Sequence, residues 1–79
     1  MSPTVFREGQ YRFFFFSREE TRMHVHVICS GGEAKFWIQP HVELSVSKGL
    51  TEQAVREAEE IVGRRRQEIV DAWNRHFQS

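Results

Sequence analysis

The sequence lacks several features that would assign it to a familiar class of protein. It has one cysteine among 79 residues, so it can form neither an internal disulfide nor an all-cysteine zinc site. Its longest apolar run is the four phenylalanines at 13–16, which is too short for a transmembrane helix or a secretion signal. We therefore expect a reduced, cytoplasmic protein that does not associate with a membrane.

An excess of charge of one sign is also missing, because eleven Lys and Arg residues balance eleven Asp and Glu residues. This neutrality argues against a general nucleic-acid coat protein, which needs a strong positive surplus. Aromatic residues, by contrast, make up 13% of the chain and include seven phenylalanines. Such large side chains supply the burial that one small domain over residues 1–79 requires.

The first half of the chain, over residues 4–46, predicts an antiparallel β-meander of four strands. The predicted strands are 4–7, 11–17, 24–29 and 33–39. A fifth, short edge strand is allowed after Pro40. The phenylalanine run shows no alternation of apolar and polar residues, so we expect the second strand to be covered on both faces.

The third and fourth strands form the best-defined predicted hairpin. A two-residue turn at Gly31 and Gly32 would pair Cys29 with Ala34. One face of the hairpin is then wholly apolar, and the other is mixed. The apolar face comprises Val25, Val27, Cys29, Ala34, Phe36 and Ile38. We expect Cys29 to be a buried small hydrophobe rather than a reactive thiol.

The second half of the chain, over residues 51–77, predicts one long α-helix packed on the apolar face of this sheet. Thr51 is expected to cap its N-terminus, and apolar residues recur after it at helical spacing. Gly63 interrupts this pattern, but no proline or turn cluster follows it. The three arginines at 64–66 have acidic neighbours and are interpreted as a solvated surface. The predicted fold class is α+β.

One helix can cover only one face of a small sheet, so the other face is expected to be open to solvent. That face carries His24, His26, Ile28, Lys35 and Trp37. Such a patch is larger and more apolar than a monomer normally exposes. We therefore expect this face to bind a protein partner, and a second copy in a homodimer is the simplest candidate.

His24 and His26 are the residues that most suggest chemistry. Alternation places both imidazoles on one strand face, where they could chelate one zinc ion. A structural zinc site needs two more ligands, and Cys29 lies on the opposite face. A toxin-like ribonuclease or RNA-binding protein would use the two histidines with Lys35, but catalytic imidazoles normally flank the scissile bond across a groove. The favoured interpretation is a pair of structural or interface histidines, with no catalytic residue and no cofactor.

Segments spread over nearly the whole chain resemble one small bacterial family. They include His-Val-His-Val at 24–27 and Gly-Glu-Ala-Lys-Phe-Trp at 32–37. The other matching segments are 4–7, 11–17, 42–44, 48–50 and 72–74. The family is domain of unknown function 4160. The resemblance implies a small stand-alone protein encoded in a short operon, either as a toxin–antitoxin component or as cargo of a mobile element, and it implies no catalytic residues.

The chain departs from the family pattern at two places. Arg22 and Met23 stand where the family has a Pro-Pro pair, and His41 is an extra residue before the Val-Glu-Leu segment. These changes indicate a partner particular to this chain. The predicted function is a non-catalytic protein-interaction module, either a toxin–antitoxin-type operon component or a mobile-element inhibitor of a host defence complex such as a CRISPR-type complex. The alternatives are a ribonuclease or RNA-binding protein and a small metal-binding domain.

Overall fold

The computed structural model describes residues 4–16 and 22–77, and over these ranges the chain forms a five-stranded antiparallel sheet followed by two helices. The elements are β1 (Thr4–Glu8), β2 (Tyr11–Phe14), β3 (His24–Cys29), β4 (Gly32–Trp37), β5 (Glu43–Lys48), α1 (Glu52–Arg64) and α2 (Arg66–Phe77). The strands are ordered as in the chain. The α+β class is therefore confirmed. Neither described helix has the length and apolar character needed to cross a membrane.

The sheet is larger than the predicted four-stranded meander. β5 is a full strand of six residues paired with β4, so the sheet extends to Lys48 rather than ending near Val46. All six of its residues are exposed, and a strand that buries so little has only a weak apolar pattern in the sequence. At the other side, β2 ends at Phe14. The predicted end of that strand, Ser17, lies outside the described residues.

The β3–β4 hairpin has a different register from the predicted one. Its turn residues are Ser30 and Gly31, both with positive φ (47° and 81°), instead of Gly31 and Gly32. Cys29 therefore pairs with Gly32, where Ala34 was expected. The register differs by two residues, and side chains alternate with period two, so each side chain keeps its predicted face.

Gly32 is not available for the turn because it packs against the end of β5. A Cβ atom at this position would lie 2.6 Å from the carbonyl carbon and oxygen of Gly49 and 2.7 Å from Cδ2 of Leu50. The absence of a side chain at Gly32 thus permits close approach of two backbone segments. Sequence alone could not show which of the two adjacent glycines this contact requires.

The C-terminal region forms two helices instead of the predicted single one. The break is one residue, Arg65, with φ −106° and ψ 24°, whose amide still donates to the carbonyl of Ile61. Gly63 lies inside α1 and does not cause the break. The predicted N-cap is confirmed, since the Thr51 hydroxyl accepts a hydrogen bond of 3.0 Å from the Ala54 amide.

Arg65 holds the helix break against the sheet. Its guanidinium carbon lies 3.5 Å from the centroid of the Phe6 ring, and its nitrogens contact carboxylates of Glu8 and Glu68 at 2.9 Å. Arg64 also pairs with Glu8. Arg64 is exposed and pairs with its acidic neighbour Glu60, as the interpretation of a solvated surface expects, whereas Arg65 is half-buried. Both residues also tie the helices to β1 through Glu8.

The core lies between the two helices and one face of the sheet. It comprises Phe6, Tyr11, Phe13, Phe15, Met23, Val25, Val27, Cys29, Ala34, Phe36, Ile38, Ala58, Ile61, Val62, Ile69 and Trp73. All six residues of the predicted apolar hairpin face are buried, so that face was assigned correctly. Cys29 is buried among them, as expected.

We predict that Gly32→Ala lowers the free energy of unfolding by about 1–3 kcal/mol, because the added methyl group overpacks a backbone contact. Gly63→Ala is the matched change, since a Cβ there meets no described heavy atom within 4 Å. It should raise the unfolding free energy by up to about 1 kcal/mol through helix propensity. Urea unfolding followed by circular dichroism measures both. Equal stability of Gly32→Ala and the parent chain would contradict the proposed contact.

A second prediction concerns acid stability. Hydrogen bonds from Arg64 and Arg65 lower the pKa of Glu8 below its ordinary value of 4.5. Because the folded-state pKa is depressed, Glu8 stabilises the fold above its unfolded-state pKa, and this contribution is lost as the pH falls through the folded-state pKa. Glu8→Gln should therefore lower the unfolding free energy at neutral pH and reduce its decline below about pH 4.5.

Urea unfolding across the acid range tests this. Glu59→Gln, which removes a carboxylate from the exposed side of α1, is the matched control. If the unfolding free energy of Glu8→Gln had the same pH dependence as that of the parent chain, the hydrogen bonds from Arg64 and Arg65 to Glu8 would not contribute to the loss of stability in acid.

Candidate functional site

The face of the sheet opposite the helices is called the open face. Cross-strand partners share a face, and the register therefore assigns its members. They are Thr4, Arg7, Arg12, Phe14, His24, His26, Ile28, Glu33, Lys35, Trp37, Glu43, Val46 and Lys48. The five residues predicted to form an interaction surface are all on this face, but they differ in how far they are accessible.

Aromatic rings form a packed cluster on the open face. The ring of His26 lies 5.6 Å from that of Phe14 and 4.4 Å from that of Phe16, and the two phenylalanine rings are 5.3 Å apart in an edge-to-face arrangement. Phe14 is only 7% exposed, whereas Phe16 is 43% exposed. The expectation that the phenylalanine run is covered on both faces is thus correct for Phe14, with neighbouring side chains providing the cover.

Basic side chains lie over the aromatic rings of the open face. The guanidinium of Arg12 is 4.7 Å from the centroid of the Phe14 ring. Arg22 and Lys35 both contact Trp37, at 4.2 Å and 4.4 Å from its ring centroid. These are cation–π distances. Arg22 also pairs with the Glu43 carboxylate at 3.9 Å. Cationic groups therefore lie directly over the aromatic layer of this face.

Charge is distributed unevenly between the two sides of the sheet. Among the described residues, the basic ones on or beside the open face are Arg7, Arg12, Arg22, Lys35 and Lys48, and the acidic ones are Glu33 and Glu43. The helix side has the opposite balance, with seven acidic residues against five basic ones. Over residues 4–16 and 22–77, basic side chains thus exceed acidic ones on the open face, although the chain as a whole has zero net charge.

His24 is buried, so the prediction that it is exposed to solvent is wrong. Its side chain is fully buried, and its ring lies 5.7 Å from Trp37, 5.1 Å from His26 and 5.2 Å from Trp73 of α2. Its Nδ1 is 2.7 Å from the carbonyl oxygen of Arg22, which can only accept, so Nδ1 carries the proton. The Trp73 ring of α2 therefore contributes to the burial of His24, which has a packing role.

The two histidines are not arranged as an acid–base pair around an accessible substrate. Their rings are nearly perpendicular, at 82°, and His24 is inaccessible. Within residues 4–16 and 22–77, no three or more His, Cys, Asp or Glu side chains are grouped so that they could hold a metal ion. Cys29 lies on the core side, as expected. These described residues therefore offer no further ligand for a zinc site at His24 and His26.

A groove of about 260 Å³ runs along the open face between the aromatic cluster and β5. Phe14, Phe16 and Val46 give it apolar walls, and its charged lining consists of Lys35, Lys48 and Glu33. Val46 is 57% exposed. Sequence reasoning missed Val46 and Lys48 because β5 was allowed only as a short edge strand. The alternation of Val46 and Lys48 with serine was the one available signal.

Comparison with known proteins yields one match. A family model described as a domain of unknown function (DUF4160) matches residues 10–74. The chain belongs to this family. No curated protein and no solved structure matches it.

The DUF4160 match includes every residue of the open face except Thr4 and Arg7, which lie on β1. The two segments that carry the resemblance are paired in space, since His-Val-His-Val begins β3 and Gly-Glu-Ala-Lys-Phe-Trp is the whole of β4. Arg22, one of the residues at which the sequence analysis expects this chain to depart from the family pattern, supplies one of the cations over Trp37.

We predict that His24→Ala lowers the free energy of unfolding by about 2–4 kcal/mol, because it leaves a cavity among buried rings. His26→Ala, on the same strand and face but only partly buried, should cost less. Chemical denaturation compares the two variants. If His24→Ala were as stable as the parent chain, a structural role for His24 would be untenable.

Proposed function

We propose that this DUF4160 chain is a non-catalytic protein-interaction module that binds an acidic protein partner through its open face. The observation that carries the proposal is the layer of cations held over aromatic rings on a face whose basic residues outnumber its acidic ones. Arginine guanidinium groups can bind carboxylates through two parallel hydrogen bonds, so Arg12 and Arg22 suit an acidic protein surface.

Apolar residues on this face supply the other requirement of a protein interface. Phe16 and Val46 border the groove, and Ile28 is exposed beside Arg12, its partner in the β2–β3 register. Specific interfaces commonly combine an apolar and aromatic centre with a polar rim. The groove beside Phe16 is therefore the expected position for an apolar anchor of the partner.

RNA is a less suitable ligand for this surface. Single-stranded nucleic acids stack their bases on accessible ring faces. Phe14 and His24 are buried, and the Trp37 ring already contacts two cations, so Phe16 is the most exposed ring of the cluster. The burial of His24 likewise gives a ribonuclease mechanism no accessible histidine pair. RNA binding, RNA cleavage and metal binding remain the alternative hypotheses.

The positive charge also bears on the predicted homodimer through the open face. Among the described residues, two such faces in contact would bring together basic residues that exceed the acidic ones on each side, and like charges brought together disfavour association. An acidic partner fits better. The biological settings implied by the family resemblance, a toxin–antitoxin-type operon component or a mobile-element inhibitor of a host defence complex, both need only binding. Location in the cytoplasm stays a prediction.

The test is to capture the partner and then map its contact. The full chain is immobilised and exposed to lysate of its source cells, in parallel with and without nuclease treatment. The protein that is captured in both samples is identified by mass spectrometry and purified. Its affinity is then measured for the parent chain, for Lys35→Glu on the open face and for Arg56→Glu on the exposed side of α1. Lys35→Glu should weaken binding about tenfold or more, and Arg56→Glu should change it little.

Two outcomes would overturn the proposal. One is a captured ligand that nuclease removes, which would favour the RNA alternative. The other is equal weakening by both charge reversals, which would place the contact elsewhere. Circular dichroism of each variant shows that the fold is retained.

A further inference from the structure

The outer edge of β5 is the most open edge of the sheet. All six of its residues are exposed, and among the described strands it pairs only with β4. It carries Leu44 and Val46, which are large exposed hydrophobic residues. The side chains of β1, at the opposite edge, are less exposed, since Phe6 is buried and Glu8 pairs with two arginines. An exposed edge with apolar side chains is a template for pairing with another strand.

A β-bulge in β5 controls which side its charges face. The register with β4 leaves Ser45 without an opposing residue. In a regular strand Glu43 and Lys48, five positions apart, would point to opposite faces. Because of the extra residue both lie on the open face, where they are opposite Trp37 and Glu33. The strand therefore has an acidic and a basic end on the same face.

We infer that β5 pairs antiparallel with β5 of a second copy of this chain, around a two-fold axis normal to the sheet. Such an axis reverses the strand and preserves its face, and directly opposite residues share a face. Glu43 of each copy then lies opposite Lys48 of the other, and Leu44 opposite Ser47. In an in-register parallel arrangement, by contrast, Glu43 would face its own equivalent. The order of charges along β5 thus selects a second copy in this orientation.

This pairing would join two five-stranded sheets into one sheet of ten strands. Both open faces would lie on the same side, since the axis is normal to the sheet. The two grooves would flank the junction, because Val46 and Lys48 belong to both the groove and β5. The pairing itself rests on β5 alone. Only the consequence that an acidic partner meets a doubled basic surface rests on the proposed function.

Charge reversal with complementation tests the inference. Glu43→Lys leaves a lysine at both ends of β5, and Lys48→Glu leaves a glutamate at both ends. Each variant alone should self-associate at least about tenfold more weakly than the parent chain, because two attractive pairs become repulsive. An equimolar mixture of the two variants should form a heterodimer, because every opposed pair is then attractive again. Sedimentation velocity over a concentration series measures all four samples.

The control is Glu59→Lys, an identical charge reversal on the exposed side of α1, which should self-associate like the parent chain. A parent chain that stays monomeric at high concentration would overturn the inference. So would a mixture that stays monomeric, or single variants that still dimerise fully. Circular dichroism confirms that each variant is folded. No partner protein enters these measurements, so their failure would leave the proposed function standing, and the reverse also holds.

Discussion

The phenylalanine run of β2 imposes the constraint on which the rest of the structure depends. Consecutive residues of an extended chain point to opposite sides, so four adjacent rings place two on each face of the sheet. Phe13 and Phe15 enter the core beneath the helices. Phe14 and Phe16 lie on the face that α1 and α2 leave uncovered. Other side chains of the open face therefore have to cover Phe14 and Phe16.

The rings of Phe14 and Phe16 are covered by another aromatic ring and by a cationic side chain. His26 packs on Phe14 and Phe16, and Arg12 lies over Phe14. Arg22 lies over the Trp37 ring and also pairs with the Glu43 carboxylate at 3.9 Å. On the helix side, Arg64 and Arg65 bind carboxylates. Among the described residues, the open face has more basic than acidic side chains, and the helix side has more acidic than basic ones.

β5 extends the open face beyond the part of the sheet whose residues are buried under the helices. It contributes Val46 and Lys48 to the groove and leaves its outer edge open. The bulge at Ser45 allows both of its charged ends to face the same way as the aromatic cluster. The proposed binding of a partner at the open face and the proposed pairing of β5 with a second copy would therefore use adjoining parts of one surface. Within the DUF4160 family, the two strands that carry the sequence resemblance form the centre of that surface.

Features that depend on neighbouring residues could be read from the sequence. The alternation in β3 and β4 identified the core face, and Thr51 identified the start of α1, since both patterns involve residues a few positions apart. The family was also evident from the segments in these strands. The burial of Cys29 and the coverage of the phenylalanine run followed from the same local patterns.

Features that depend on distant residues were decided by the tertiary structure. Gly49 determines that Gly32 belongs to β4 rather than the turn. Contacts of Arg65 with Phe6 and Glu8 accompany the division of the helix, and Trp73 covers His24. The contacts of Arg65 and Trp73 join residues that are about 50 or more positions apart in the sequence. Gly32 and Gly49 are closer in sequence, but they meet only because β4 and β5 pair. Local periodicity determines which face a side chain takes, but only the assembled fold determines what covers that face.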